Sequence, residues 1–120
     1  MKAIFCPLAS GSSGNSTFIA SGGTRILIDA GVSGKRIQEA LASISVDAGT
    51  IDALFITHEH ADHIKGAGIL SRRFDIPIYA TAGTWEAMEG LVGSVARHNR
   101  HIVYGGENCV VNDICIKPFA

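Results

Sequence analysis

This 120-residue chain has only three cysteines, Cys6, Cys109 and Cys115, and no Cys-x-x-Cys pair. That excludes a disulfide framework and a thiolate-rich structural zinc site, and it points to buried thiols in a reducing cytosol. Long apolar runs are missing too. The run from Ala3 to Leu8 reads as a strand rather than a signal peptide, and nothing approaches the ~20 residues of a membrane helix. Charge of one sign is also absent. The formal net charge is −1, so no bulk electrostatic attraction draws the chain to nucleic acid, and a charged substrate must be held locally. Repeats, low-complexity segments and linkers are absent as well. Apolar content of 47% with 18% charged residues indicates one ordered domain with a modest core.

What stands out is Thr57-His58-Glu59-His60-Ala61-Asp62-His63. The apolar strand Ala53-Leu54-Phe55-Ile56 runs into it, and a helical segment, from Asp62 to Phe74, leads out. On extended backbone His58 and His60 project to the same side, with Cβ atoms roughly 7 Å apart. Imidazole nitrogens bind zinc at about 2.0–2.1 Å, so the two rings can converge on one ion. Asp62 and His63, at the turn into the helix, can aim at a second point nearby. Two metals roughly 3.5–4 Å apart are the usual arrangement for hydrolysing phosphoesters. A histidine-rich surface loop is the alternative, but four potential ligands in six residues at a strand end favour metal.

The rest of the chain mixes hairpins with helices. Residues 2–8 form a first strand, and Ser16–Ser21 and Thr24–Asp29 form a hairpin across Gly22-Gly23. Ser33 caps a helix over Gly34–Ser43, with Ile37, Leu41 and Ile44 as its apolar stripe. Ile76–Ala80 is a short strand. Thr84 caps a helix bearing Trp85, Met88, Leu91 and Val92. His101–Tyr104 and Asn108–Val111 pair across Gly105-Gly106, and Asn112-Asp113 turns the chain into Ile114–Phe119. This is α/β (α+β), a mixed sheet with helices on one face.

His58-x-His60-x-Asp62-His63 resembles the signature of the metallo-β-lactamase-fold hydrolases. Pro7-Leu8-Ala9-Ser10-Gly11-Ser12-Ser13-Gly14-Asn15-Ser16 and Ile26-Leu27-Ile28-Asp29-Ala30-Gly31 resemble the YycJ/WalJ-type branch, a group of phosphodiesterases and nucleases. The resemblance implies an αββα sandwich, of which residues 1–120 would be the N-terminal half. It also implies two divalent metal ions: zinc first, with manganese or iron compatible with the same ligands. His58 and His60 would hold one ion, and Asp62 and His63 the other. The remaining ligands, a third His, a bridging Asp and a last His, would lie beyond Ala120. Water activated between the metals would be the nucleophile, with Asp62 also able to accept its proton.

The same pattern places Asp29 beneath the histidines, holding a ligand or a backbone amide; an ordinary turn carboxylate is the alternative. Ser12, Ser13 and Asn15 form a loop whose backbone amides can meet a phosphate, or else a plain hairpin. His98 and His101, outside the motif, read as a solvated basic loop. The implied activity is a cytoplasmic nuclease or phosphodiesterase, with a DNA exonuclease as the narrower reading, nucleic acid as partner, no membrane, and self-association of an incomplete sandwich. The alternatives are a hydrolase of a cyclic phosphodiester, thioester or lactam, and a non-catalytic metal-binding module.

Overall fold

Ile26 and Leu27 are adjacent, face opposite sides of one strand, and are both fully buried. That strand, β3 (Thr24–Ile28), is therefore covered on both faces, as its unbroken apolar run requires. The structure, a computed structural model, describes residues 3–11 and 14–117. β3 lies inside a six-stranded sheet with β1 (Ala3–Ala9), β2 (Ser16–Ser21), β4 (Ala53–Phe55), β5 (Ile78–Ala80) and β6 (Arg100–Ile102). Spatial order follows chain order. β1, β2 and β3 are antiparallel, and β3 to β6 are parallel, so the sheet is mixed. Gly22, at φ 61°, makes the turn of the β2–β3 hairpin.

Period-two alternation sorts the sheet into two faces. Leu27, Leu54 and Ile78 pack with Ile37 and Leu41 of α1 (Gly34–Ser43), Leu70 of α3 (Ala67–Phe74), and Trp85 and Met88 of α4 (Ala82–Met88). Each such side chain contributes about 1.5–3 kcal/mol when fully buried. The helices therefore lie on one face. On the other, Ile26, Ala53 and Phe55 meet Val103 and a second, two-stranded sheet of β7 (Cys109–Val111) and β8 (Ile114–Ile116), which supplies Val111 and Ile114. Asn112, at φ 48°, turns that hairpin, and Thr24 Oγ1 pins it through Asp113 at 3.3 Å. No helix among the described residues is long and apolar enough to cross a membrane.

Three local expectations are corrected. The helix after the histidines is not continuous: α2 (Ala61–Ile64) ends and α3 restarts after Gly66. Gly66 donates its N–H to Ala30 O (2.7 Å), outside any helix ladder, and a Cβ there would collide with Val32 O. Both glycines serve close approach, since a Cβ on Gly68 would collide with Val92 O.

The last helix is capped by Thr81, whose Oγ1 accepts from Thr84 N at 3.2 Å, so Thr84 sits in the first turn. The helix ends at Met88, leaving Leu91 and Val92 beyond it.

Finally, β6 does not pair with β7. It joins the main sheet beside β5, with Tyr79 opposite His101, and β7 pairs with β8. Stacking of Tyr79 on His101 (4.5 Å between centroids) and donation from Trp85 Nε1 to His101 O (2.7 Å) hold β6 there.

Candidate metal centre

Three backbone segments meet where the parallel strands end, the usual place for a ligand site in a sheet of this kind. The first carries Gly14 and Asn15, the second Asp29 to Gly31, and the third Thr57 to Gly66. Asn15 N donates to Asp62 O (2.7 Å), Gly31 N to Asn15 O (2.8 Å), and Ala30 N to His63 O (2.8 Å). Gly31 sits at the crossing, where a Cβ would collide with Asp62 O and meet Asn15 N at 2.5 Å. Only glycine lets the three chains close to this distance.

Asp29 directly follows β3 in the left-handed region (φ 64°), which aspartate tolerates better than most residues. It is 5% exposed, and its carboxylate faces the histidine loop. Oδ1 accepts from Thr57 N (2.7 Å). Oδ2 accepts from Thr57 Oγ1 (2.6 Å) and from His63 Nδ1 (2.7 Å). Those contacts fix proton positions. A carboxylate only accepts, so His63 donates from Nδ1, and Nε2 is the ring nitrogen that Asp29 leaves unengaged. Thr57 has one hydroxyl proton and gives it to Asp29. The 3.0 Å contact between Thr57 Oγ1 and His58 Nδ1 is then a donation from His58, and it likewise leaves Nε2 unengaged by Thr57. Thr57 has no role that the sequence alone reveals; its only signal is a hydroxyl at the strand end, directly before the first histidine.

The four motif residues gather at this corner. The rings of His58 and His60 lie 6.1 Å apart between centroids, nearly parallel at 24°, and those of His58 and His63 lie 4.9 Å apart. His63 Nε2 is 3.5 Å from Asp62 Oδ2. Among the described residues no three His, Cys, Asp or Glu side chains close around one point.

Asn15 is present with its carboxamide turned onto Asp62. Nδ2 lies 3.3 Å from both Asp62 Oδ2 and Asp62 O, and 3.2 Å from Gly11 O. Ser12 and Ser13 lie outside the described residues. His98 is exposed and pairs with Asp75 at 2.7 Å, in keeping with a solvated loop. His101 departs from that expectation: it is half-buried on β6. Burial pushes the Cys109 thiol up, which disfavours the thiolate that a metal requires.

A mixed sheet backed by helices, with a His/Asp corner at its strand ends, defines a metallohydrolase scaffold. The chain belongs to the metallo-beta-lactamase superfamily, whose family model matches residues 9–111. It is 37% identical over 115 residues to exodeoxyribonuclease YycJ of Bacillus anthracis, a match over 96% of this chain and 44% of that protein. It is 44% identical over 114 residues to exodeoxyribonuclease WalJ of Streptococcus pneumoniae, over 93% of this chain and 42% of that one. The chain thus spans less than half the length of these curated relatives. A subclass B3 metallo-beta-lactamase with an active-site glutamic acid superposes with a TM-score of 0.73 at 17% identity. The match covers 94% of this chain and 47% of that structure, a likeness of fold.

The superfamily implies divalent metal ions, typically zinc, and one pair of donors here has the spacing such an ion needs. Two ligands about 2.0–2.2 Å from one ion at a tetrahedral angle stand ~3.4 Å apart. His63 Nε2 and Asp62 Oδ2 stand at 3.5 Å. Two imidazoles are held through Nδ1, and one of them donates from that nitrogen to a carboxylate, the customary support of a metal-bound histidine.

Proposed function

We propose that this chain supplies part of the active site of a metal-dependent phosphodiesterase acting on nucleic acid, an exonuclease on DNA. In this reading His58 and His60 hold one divalent ion, and Asp62 and His63 hold the second. The observation that carries it is the pairing of His63 Nε2 with Asp62 Oδ2 at 3.5 Å, while Asp29 holds the opposite ring nitrogen at 2.7 Å. The curated relatives named above are exodeoxyribonucleases, which supports DNA as the substrate. Zinc is the first choice, and imidazole and carboxylate also suit manganese or iron.

Bound metal would supply Lewis acidity and an activated water. The chain's own residues do the rest. Asp29 and Thr57 hold two histidines by Nδ1, which orients both rings and leaves Nε2 for the metal. Asn15 engages Oδ2 of Asp62, which leaves Oδ1 to accept a proton from the attacking water. With a net charge of −1, a phosphate is held by this corner and not by the general field of the surface. The described cysteines are free, which suits a cytoplasmic setting.

We also read the chain as the N-terminal portion of a larger sandwich. A cavity of about 650 Å³, lined by Ile28, Phe55, Tyr79, Val103 and Ile116, runs to Thr57 and His58. Further chain would cover this apolar face and complete the metal ligands.

The test uses the full-length protein, stripped of metal and reloaded with zinc, on bis-p-nitrophenyl phosphate, a thioester and nitrocefin. Zinc-dependent hydrolysis of the phosphodiester alone is expected. Preference for the thioester or nitrocefin would replace the reading with a small-molecule hydrolase. Tight metal binding with no hydrolysis of any of them would leave a non-catalytic module.

A further inference from the structure

We propose that Asn15 is a positioning residue that sets the Asp62 carboxylate for the second metal ion, an inference that rests on the ligand set proposed above. Each candidate ligand of that ion has its own support. His63 is held by Asp29, from a buried position. Asp62 is about one-third exposed at its side chain, and on geometry alone it is free to swing toward water. Among the described residues, the Asn15 carboxamide is the one side chain that donates to it.

The contact is built from the main chain outward. Asn15 is fixed by its own N–H to Asp62 O (2.7 Å) and by its carbonyl, which accepts from Gly31 N (2.8 Å). Neither bond uses the side chain, so the backbone anchor survives substitution. From that anchor Nδ2 reaches Asp62 Oδ2 and Asp62 O, both at 3.3 Å, and Gly11 O at 3.2 Å. Its two protons are shared among three acceptors. The oxygen it engages, Oδ2, is the one that faces His63 Nε2 at 3.5 Å. Asn15 therefore selects the carboxylate orientation in which an oxygen and a nitrogen point at a common ion.

A substrate-binding role for the same side chain predicts something different. A phosphate contact would weaken substrate binding and leave metal affinity alone. A positioning role weakens one metal and not the other.

The experiment compares wild type, Asn15→Leu and Asn15→Ala in the full-length protein. Leucine keeps the volume and removes the donor; alanine removes both. Zinc is titrated against a chromophoric chelator to resolve two sites, with kcat and KM on a phosphodiester measured in parallel. We expect both variants to keep one site at wild-type affinity and to weaken the other by roughly 10–100-fold, the usual effect of removing a partner that orients a metal ligand. The activity loss should fall in kcat and be recovered by excess zinc. Two sites at wild-type affinity in Asn15→Leu, with raised KM, would overturn the inference in favour of substrate contact. Loss of both sites together with cooperative folding would also overturn it, because Asn15 would then hold the fold and not the carboxylate. If the wild type binds zinc but leaves phosphodiesters intact, the proposed reaction fails, and the titration still decides the role of Asn15.

Discussion

Asp29 Oδ2 accepts from His63 Nδ1 at 2.7 Å, and the same oxygen takes the hydroxyl proton of Thr57, which in turn receives the Nδ1 proton of His58. One buried carboxylate thereby orients two histidines, one directly and one through Thr57, from a residue held in left-handed backbone just after β3. The consequence is geometric: both rings are engaged through Nδ1, which leaves Nε2 as the nitrogen available to a metal.

Asp29→Asn tests this directly. Asparagine tolerates the left-handed backbone, but its carboxamide has one acceptor oxygen and cannot serve Thr57 N, Thr57 Oγ1 and His63 Nδ1 together. A fall of about 10–100-fold in zinc affinity or phosphodiesterase rate is expected, with the fold retained by circular dichroism. Wild-type zinc affinity in this variant would show that the histidines orient without Asp29.

Glycine substitutions should separate close approach from chain flexibility. A Cβ on Gly31 meets backbone atoms of Asp62 and Asn15, which cannot rotate away, whereas one on Gly83, in the first turn of α4, meets nothing within 4 Å. Gly31→Ala should destabilise by about 1–3 kcal/mol or more. Gly83→Ala should stabilise by roughly 0.5–1 kcal/mol, because alanine is the better helix residue. Urea unfolding of both variants reads the difference, and equal effects would contradict the packing described at the three-segment crossing.

Asp75 gives a pH dependence with a definite sign. Hydrogen bonds from His98 and then Asn99 hold its carboxyl below the ordinary value of 3.8. A depressed folded value means that the contribution is present above 3.8 and is lost as pH falls through the lower folded value. Asp75→Asn keeps the left-handed helix cap and removes the charge. Its melting temperature should sit below wild type at neutral pH, and the gap should close on acidification. A gap that widens toward low pH would contradict the assignment. The pair is exposed, so the effect is small.

The 120-residue chain expressed alone should associate with itself. Ile4 and Phe5 on the edge strand β1 are 56% and 70% exposed, and the face bearing Phe55 and Tyr79 opens onto the 650 Å³ cavity. An edge strand with exposed apolar side chains and an apolar cavity each recruit partners. Size-exclusion chromatography with light scattering should show dimers or larger species with weak zinc retention. A monomer that keeps two zinc ions after dialysis would contradict the reading of the chain as part of a larger sandwich.

Much of this was legible in the chain because the signals are local. Ser33 capping α1, Gly22-Gly23 turning the first hairpin, and the histidines at the end of β4 all lie within a few residues of the features they control. Failures came where a distant partner decides. Gly66 breaks its helix because Ala30 O, far off in sequence, accepts its N–H. β6 joins β5 and not β7 because Tyr79 and Trp85 hold His101, while Gly105-Gly106 looks locally like a hairpin turn. Thr81 and Thr84 are equivalent caps by residue type, and only the path of the chain after β5 chooses between them. The direction of the Asn15 side chain is decided in the same way, by Asp62, 47 residues away.

The central claim, that Asp62 works within a two-metal corner to hydrolyse phosphodiesters, is tested most directly by Asp62→Ala in the full-length protein. End-labelled DNA is incubated with wild type and variant at matched zinc loading, and released nucleotide is measured. The account predicts metal-dependent release by wild type and none detectable from a variant that remains folded. Retention of most of the wild-type rate by Asp62→Ala at equal zinc content would contradict it.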